Sequence, residues 1–302
     1  MRFWKGYAYL VVEYAGFDRR FDIEDADGRL LALDFETKMT RSKEPNQGVF
    51  NLYNLSASTR QEIETDAIAV RCYAGYDGDA KLIYKGDLVF VNSVKQGPDW
   101  MTTLHCGDGF ASFTKSITSK TYASGTDKQV ILDQIASDMN LVVKATKDAI
   151  GGALTGTLSI DGKSKDQLDV LTKDNGAEWS IQDGELNLTK IGRPIDDIAI
   201  VLRADTGLLE HPTVTDKGVN IKAQLNPDIR PGKLIKLEPI AVQVQPTTAR
   251  EEPKTPPKKA KEIFIPERGR DYAGVYLCQT VQFIGNNYGG PFDVMIEAIR
   301  YD

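Results

Sequence analysis

Of 302 residues only three are cysteine and two are histidine. Cys72, Cys106 and Cys278 are widely spaced and form no C-x-x-C pair. That argues against a disulfide framework or a zinc site and fits folding in a reducing cytosol, with each thiol a small buried hydrophobe. His105 stands beside Cys106, but neighbours in a strand point to opposite faces, so the pair reads as sheet residues rather than nucleophile and base. No G-x-S-x-G, G-x-x-x-x-G-K-[ST], H-E-x-x-H or G-x-G-x-x-G fingerprint occurs. No apolar run approaches the roughly 20 residues of a membrane-spanning helix. The apolar patch Tyr9 to Val12 is cut by Glu13 with no cleavage pattern after it, so a signal peptide is not expected. Positive charge is also short: 37 Lys and Arg against 43 Asp and Glu leave a net charge of −6, a poor balance for gripping phosphate backbones. The one dense basic cluster is Lys254, Lys258, Lys259 and Lys261.

The acidic, glycine-bearing stretches "GYDGDAK" and "DIEDADG" lack the spacing of a calcium loop that ends in a bidentate Glu, and read as solvated turns. Glu178, Asp183 and Glu185 stand close to Trp179 and could be imagined as a glycosidase pair. Their place in a two-residue hairpin makes them turn and surface charges. No catalytic, cofactor-binding or metal-binding residue is expected.

What is present falls into three regions. Residues 1–115 read mostly as short strands with turn signals at Asp27-Gly28, Asp77-Gly78 and Gly97-Pro98, a barrel or sandwich pattern. Residues 116–190 read as a small α+β domain. Thr126 is a plausible N-cap for a helix with Ile131, Ile135 and Met139 on one face. Ser164 and Gln167 form a capping box for a second helix, with Leu168 and Leu171 inward and Gly176 at its end. A hairpin then turns at Asp183-Gly184, with Trp179 and Ile181 opposite Leu186 and Leu188. Strands return over residues 191–302, interrupted by a Pro/Lys-rich insertion at about 246–270 that cannot form a packed core. Long insertions cost little extra closure entropy, so the flanking strands are expected to pair across it.

An internal echo links the outer regions. "GVFNLYNLSASTRQEI" runs Gly-Val, strand, Leu55-Ser56 and a turn to Arg60. "GVNIKAQLNPDIRPGKLIKL" runs Gly-Val, strand, Leu225-Asn226 and a turn to Arg230. Ser or Asn at the stop supplies a side-chain oxygen that caps the turn. Each copy reads as a strand that ends at a capped corner and re-enters the sheet, with Gly48-Val49 matching Gly218-Val219.

"PNQGVFNLYNLSASTRQEI", "VRCYAGYDG", "LIYKGDLVFVNSV", "VILDQIASDMNL", "LDVLTKDNGAEWSIQDGELNL", "TGLLEHPTVTDKGVNIKAQLNPDIRPGKLIKL" and "DVMIEAIRYD" follow one another in an order and spacing that resembles the central baseplate hub proteins of tailed bacteriophages and related contractile systems. The resemblance covers nearly the whole chain. It implies a mainly β protein with two tail-tube-like β-barrel domains flanking the small α+β domain. It further implies a homotrimer whose six barrels form a pseudo-hexameric ring in the virion tail baseplate, assembled in the host cytoplasm. Such a ring joins a sixfold tail tube or tube-initiator ring to a threefold spike or tip, with tape-measure and baseplate wedge proteins as further partners. Its channel lets DNA pass without specific binding, and it is not an enzyme. Arg60, Arg230, Lys254, Lys258 and Lys259 are the candidate ring or partner contacts. The alternatives are a tail-associated cell-wall hydrolase housed in the middle domain, or a carbohydrate-binding module using aromatics such as Trp100 and Trp179.

Overall fold

The computed structural model describes residues 6–22, 31–76, 79–146, 148–216, 218–238 and 272–301. The insertion at 246–270, with Lys254, Lys258 and Lys259, lies outside the described residues, as do the Asp27-Gly28 and Asp77-Gly78 turn positions. The chain opens with β1 (Gly6–Tyr14), β2 (Phe17–Phe21), β3 (Leu33–Thr40) and β4 (Gln47–Tyr53), then the helix α1 (Ala57–Asp66), then β5 (Ala67–Tyr76), β6 (Asp79–Gln96) and β7 (Asp99–Gly107). The middle holds α2 (Phe110–Lys115), β8 (Ile117–Tyr122), α3 (Lys128–Asp138), β9 (Val142–Ala145), β10 (Leu158–Lys163), α4 (Ser164–Asp174), β11 (Ala177–Gln182) and β12 (Glu185–Lys190). Six strands follow: β13 (Ala199–Leu202), β14 (Thr213–Val214), β15 (Val219–Gln224), β16 (Leu234–Leu237), β17 (Gly274–Asn286) and β18 (Phe292–Arg300).

Period-two alternation makes these strands. In β3, Leu33, Phe35, Thr37 and Met39 are buried while Asp34, Glu36 and Lys38 lie between them on the more open face. In β4 the inward set is Gly48, Phe50 and Leu52, so Phe50 faces the core and Val49 does not.

Thirteen strands join in one sheet, and its order contains the same arrangement twice. One half runs β3-β4-β7-β6-β5-β1 and the other β14-β15-β18-β17-β16-β13. In chain order these are matching sets, with β2 added beside β1. Among the described residues every ladder of this sheet is antiparallel except β13 with β16, which is parallel where β1 with β5 is antiparallel. The halves meet where Thr280–Asn286 of β17 pairs with Asp34–Thr40 of β3. Closure of either half into a barrel is not seen in the ladders among the described residues. One core crosses the seam, including Leu10, Phe50 and Leu104 from one half and Ile221, Phe283 and Val294 from the other.

Each half also carries a β-bulge at the same place, and the first half has two further register shifts, at Glu13/Tyr14 and Cys72/Tyr73. The β6–β7 ladder shifts between Leu88 and Phe90, and the β17–β18 ladder between Cys278 and Thr280. Counted from these bulges, Gly48 opposite Cys106 matches Val219 opposite Ala298. The sequence echo had placed Gly48 on Gly218, one residue away. A one-residue slip exchanges the faces of a strand, and the buried set decides the register. Asn54, with φ of 57°, is the extra residue that brings Leu55 and Leu225 back into step.

The middle region has its own core, formed by Ile131, Ile135, Leu168, Trp179, Leu186 and their neighbours. Here β9 pairs in parallel with β12, β12 pairs with β11, and β8 pairs with β10. The hairpin register is as expected, Trp179 opposite Leu188 and Ile181 opposite Leu186, and Asp183 and Gly184 both take positive φ. The caps differ. Asp127, not Thr126, caps α3 by accepting from the Gln129 N–H, because Thr126 Oγ1 donates back to the Ala123 carbonyl. Ser164 is the first residue of α4 rather than its cap. Its hydroxyl is buried against Thr118 Oγ1 at 2.9 Å, so the capping box does not form.

Candidate functional site

The two corners are built alike from different parts. At the first, Ser56 caps α1 by accepting from the Thr59 N–H at 3.1 Å. Arg60 then folds back, donating to the Leu55 carbonyl at 2.6 Å while its guanidinium lies 4.1 Å from the centre of the Trp100 ring. At the second, Asn226 accepts from the Asp228 N–H at 3.0 Å, a one-turn corner in place of a helix. Arg230 donates to the carbonyls of Leu82 at 2.5 Å and Ile83 at 2.6 Å, in the opposite half of the sheet. It also stands 3.4 Å from the Asp183 carboxylate. The two arginines therefore hold different partners: Arg60 ties its own corner, whereas Arg230 ties three parts of the chain together. Both are half-buried.

The hairpin of the middle region plugs into a polar junction at the sheet. Asp108, just after β7, is 1% exposed and accepts from the Asp183 N–H at 2.6 Å and the Gly184 N–H at 2.8 Å. Burial, reinforced by the Asp183 charge, pushes its pKa up to about 7, although these backbone bonds pull it down. Burial also raises Asp183, against the pull of Arg230. Asn46 donates to the Ile181 carbonyl and to Gln182 Oε1, both at 2.9 Å, and Gln182 Nε2 returns a bond to the Thr40 carbonyl at 2.7 Å. Buried Arg41 pairs with Glu178 and donates to Thr189 Oγ1 at 3.0 Å and the Arg193 carbonyl at 2.8 Å.

These contacts correct two readings of the sequence. Glu178 and Asp183 are not free surface charges but members of ion pairs at the junction. Trp179 is 4% exposed, with Nε1 donating to Asp169 at 2.8 Å, so it offers no ring to a sugar. Trp100 is partly exposed but lies under Arg60. Arg41, Asn46 and Asp108 were missed. Nothing in their local sequence marks a buried polar contact 75 or more residues away. Asp108 alone had a weak signal, an Asp-Gly step directly after a strand.

Among the described residues no arrangement of reactive groups emerges from this geometry. His105 is exposed and Cys106 buried on the other face of β7. Burial pushes the thiols of Cys72, Cys106 and Cys278 up, away from the thiolate a nucleophile needs. Among the described residues no group of three or more His, Cys, Asp or Glu could hold a metal ion, and no helix is long and apolar enough to cross a membrane. A groove of about 450 Å³ beside the first bulge is lined by Val49, Val89, His105, Phe110 and Phe113, with Glu44 at its edge. It offers one imidazole and one carboxylate in a mostly apolar wall.

Comparison with known proteins places this architecture. No curated protein matches the sequence. Among solved structures, the 43 kDa tail protein of prophage MuSo2 from Shewanella oneidensis is similar with a TM-score of 0.60 at 9% identity, over 96% of each chain. A tail protein from Neisseria meningitidis MC58 gives 0.55 at 11% identity, over 98% of this chain and 97% of that one. The E. coli c3393 protein, a component of the type VI secretion system, gives 0.54 at 11% identity, over 90% of this chain and 74% of that one. At such identities the likeness is one of fold. The family model described as baseplate hub gp41 matches residues 46–241, which span the first corner, the middle region and the second corner. The match takes in well over half of the chain, and the chain belongs to the baseplate hub gp41 family.

Proposed function

We propose that this structural hub protein works as a symmetry adapter at the centre of a tail baseplate. Three copies form a ring in which each chain contributes two similar β halves, residues 1–115 and 191–302, with residues 116–190 as a separate α+β unit. Six similar units match a sixfold tail tube or tube-initiator ring on one side, and three chains match a threefold spike or tip on the other. Tape-measure and wedge proteins are further partners, and the site of action is the virion tail. The observation that carries this reading is the repeated strand order with its repeated bulge. A chain that holds the same sheet motif twice can satisfy sixfold and threefold neighbours at once.

The ring's bore is a duct for DNA. Each Lys or Arg on a phosphate adds salt-dependent affinity, so a duct wall functions best when acidic or neutral. The Arg60 and Arg230 corners and the Lys254, Lys258 and Lys259 cluster are assigned to ring or partner contacts, with the lysine cluster outside the bore. Light scattering on the purified chain, with negative-stain electron microscopy, tests the assembly. The expected mass is three times 33.4 kDa, with rings in projection. A monomer at all concentrations, or a dimer, would sink the adapter reading. Duplex DNA at physiological salt is expected to bind no better than to an unrelated acidic protein.

A further inference from the structure

Resting on the ring reading, the repeat can be followed to the strand edges that it leaves open. In the second half, one edge of β17 is used along its length: Gly274–Leu277 pairs with β16, and beyond the bulge Thr280–Asn286 pairs with β3 of the other half. In the first half, the matching edge of β6 pairs with β5 only as far as Asp87. Beyond its bulge, Leu88–Gln96 has β7 on one side and, among the described residues, no strand on the other. The strand that matches β3 is β14, and its outer edge is also unpaired among the described residues. Long unpaired edges are normally blunted by proline, charge or a covering element. This one carries a single charge, Lys95, and exposes Val89 by 47% and Phe90 by 58%. Across the sheet order, Val214 of β14 is 37% exposed.

The geometry points to a second copy of this chain as the occupant: β14 of one protomer adds to the β6 edge of its neighbour, repeating between chains the seam that β17 and β3 make within one. The two bulges set the register. Thr280 matches Phe90, so Phe283 matches Ser93 and Ile284 matches Val94. Gly48 matches Val219, so Thr37 matches Val214 and Glu36 matches Thr213. The internal seam pairs Thr37 with Phe283 and Glu36 with Ile284. The seam between chains therefore sets Val214 opposite Ser93 and Thr213 opposite Val94. Pro212, which has no N–H, limits the ladder at one end, so this seam is shorter than its internal template.

Directly opposed residues in antiparallel strands have Cα atoms about 4.5–5.5 Å apart, within reach of a disulfide. Full-length Ser93→Cys/Val214→Cys and, on the opposite face, Val94→Cys/Thr213→Cys should each give covalent dimers and trimers on mild oxidation. At least half the chain should convert, and reductant should reverse it. Each single variant, and the mixed-face pair Val94→Cys/Val214→Cys, should give under a tenth of that. The mass of each unoxidised variant is measured in parallel by light scattering. A trimeric mass with neither same-face pair cross-linking above the mixed pair overturns the seam and leaves the ring reading standing. A monomeric mass with no cross-linking overturns both.

Discussion

The strands from β3 to β7 and those from β14 to β18 share neighbour order, bulge position and a capped corner, yet differ at three points. The first corner is a helix of ten residues and the second a single Asx turn. The strand flanking β5 is antiparallel and backed by β2, whereas the one flanking β16 is parallel and stands alone. The first half ends in Asp108, buried under the hairpin turn, whereas the bulge register places exposed Arg300 at the matching position. The sheet is conserved where strands pair and diverges where each half meets something else. That is the pattern expected when one motif must serve two classes of neighbour.

The largest expected effect separates the two ends of the halves. Asp108 has its folded pKa raised to about 7, above the ordinary carboxylate value of 3.8. A raised acid favours the fold while it is protonated. Its contribution is therefore full below about pH 4 and is lost as pH rises towards 7. At one pKa unit per ~1.4 kcal/mol, the stability difference between the native chain and Asp108→Asn should change by on the order of 3 kcal/mol from pH 4 to pH 8. The variant should gain relative to the native chain as pH rises. Denaturant melts at several pH values check this, and a difference that stays flat would mean that Asp108 is not closed off from water.

Next comes Gly48→Val, which installs in β4 the residue that β15 carries at the matching place. A Cβ at Gly48 would lie 2.7 Å from the Tyr84 ring, which is fully buried and donates to the Asn46 carbonyl. Overpacking of this kind should cost about 2–3 kcal/mol in an unfolding titration. A neutral result would show that Gly48 does not pack against the Tyr84 ring.

The corners should differ by a smaller margin. Arg230→Ala leaves two carbonyls and the half-buried Asp183 without their guanidinium and should cost about 2 kcal/mol. Arg60→Ala and Ser56→Ala each act on one corner only and should cost about 1 kcal/mol. Equal losses at Arg60 and Arg230 would remove the distinction between a local tie and a three-way tie.

Much of the fold was legible in the sequence because it is written in local rules. Alternation marked the strands, Ser56 marked its cap, and Asp183-Gly184 marked the tight turn. The Leu-Ser and Leu-Asn corners exposed the repeat, but the repeated glycine misplaced its register. Sequence identity carried no information about which face Val49 takes, and that face is set by packing against Phe50 and Tyr84. The junction was illegible for a different reason. Arg41, Asn46 and Asp108 satisfy polar groups on β11, β12 and their turn, and partners so distant in sequence leave no periodic trace. Asp183 looked like a solvated turn residue because its conformation is that of one. Only the fold places a second carboxylate and Arg230 against it.

The central claim is that one sheet motif, used twice per chain, builds a ring that three chains close. A density map of the assembled particle at a resolution that separates strands tests it most directly. The account predicts six similar β lobes around one axis, alternating between the β17–β3 seam inside a chain and the β6–β14 seam between chains. A threefold particle whose chains touch only through the middle α+β units, or any closed assembly of other than three chains, would contradict it.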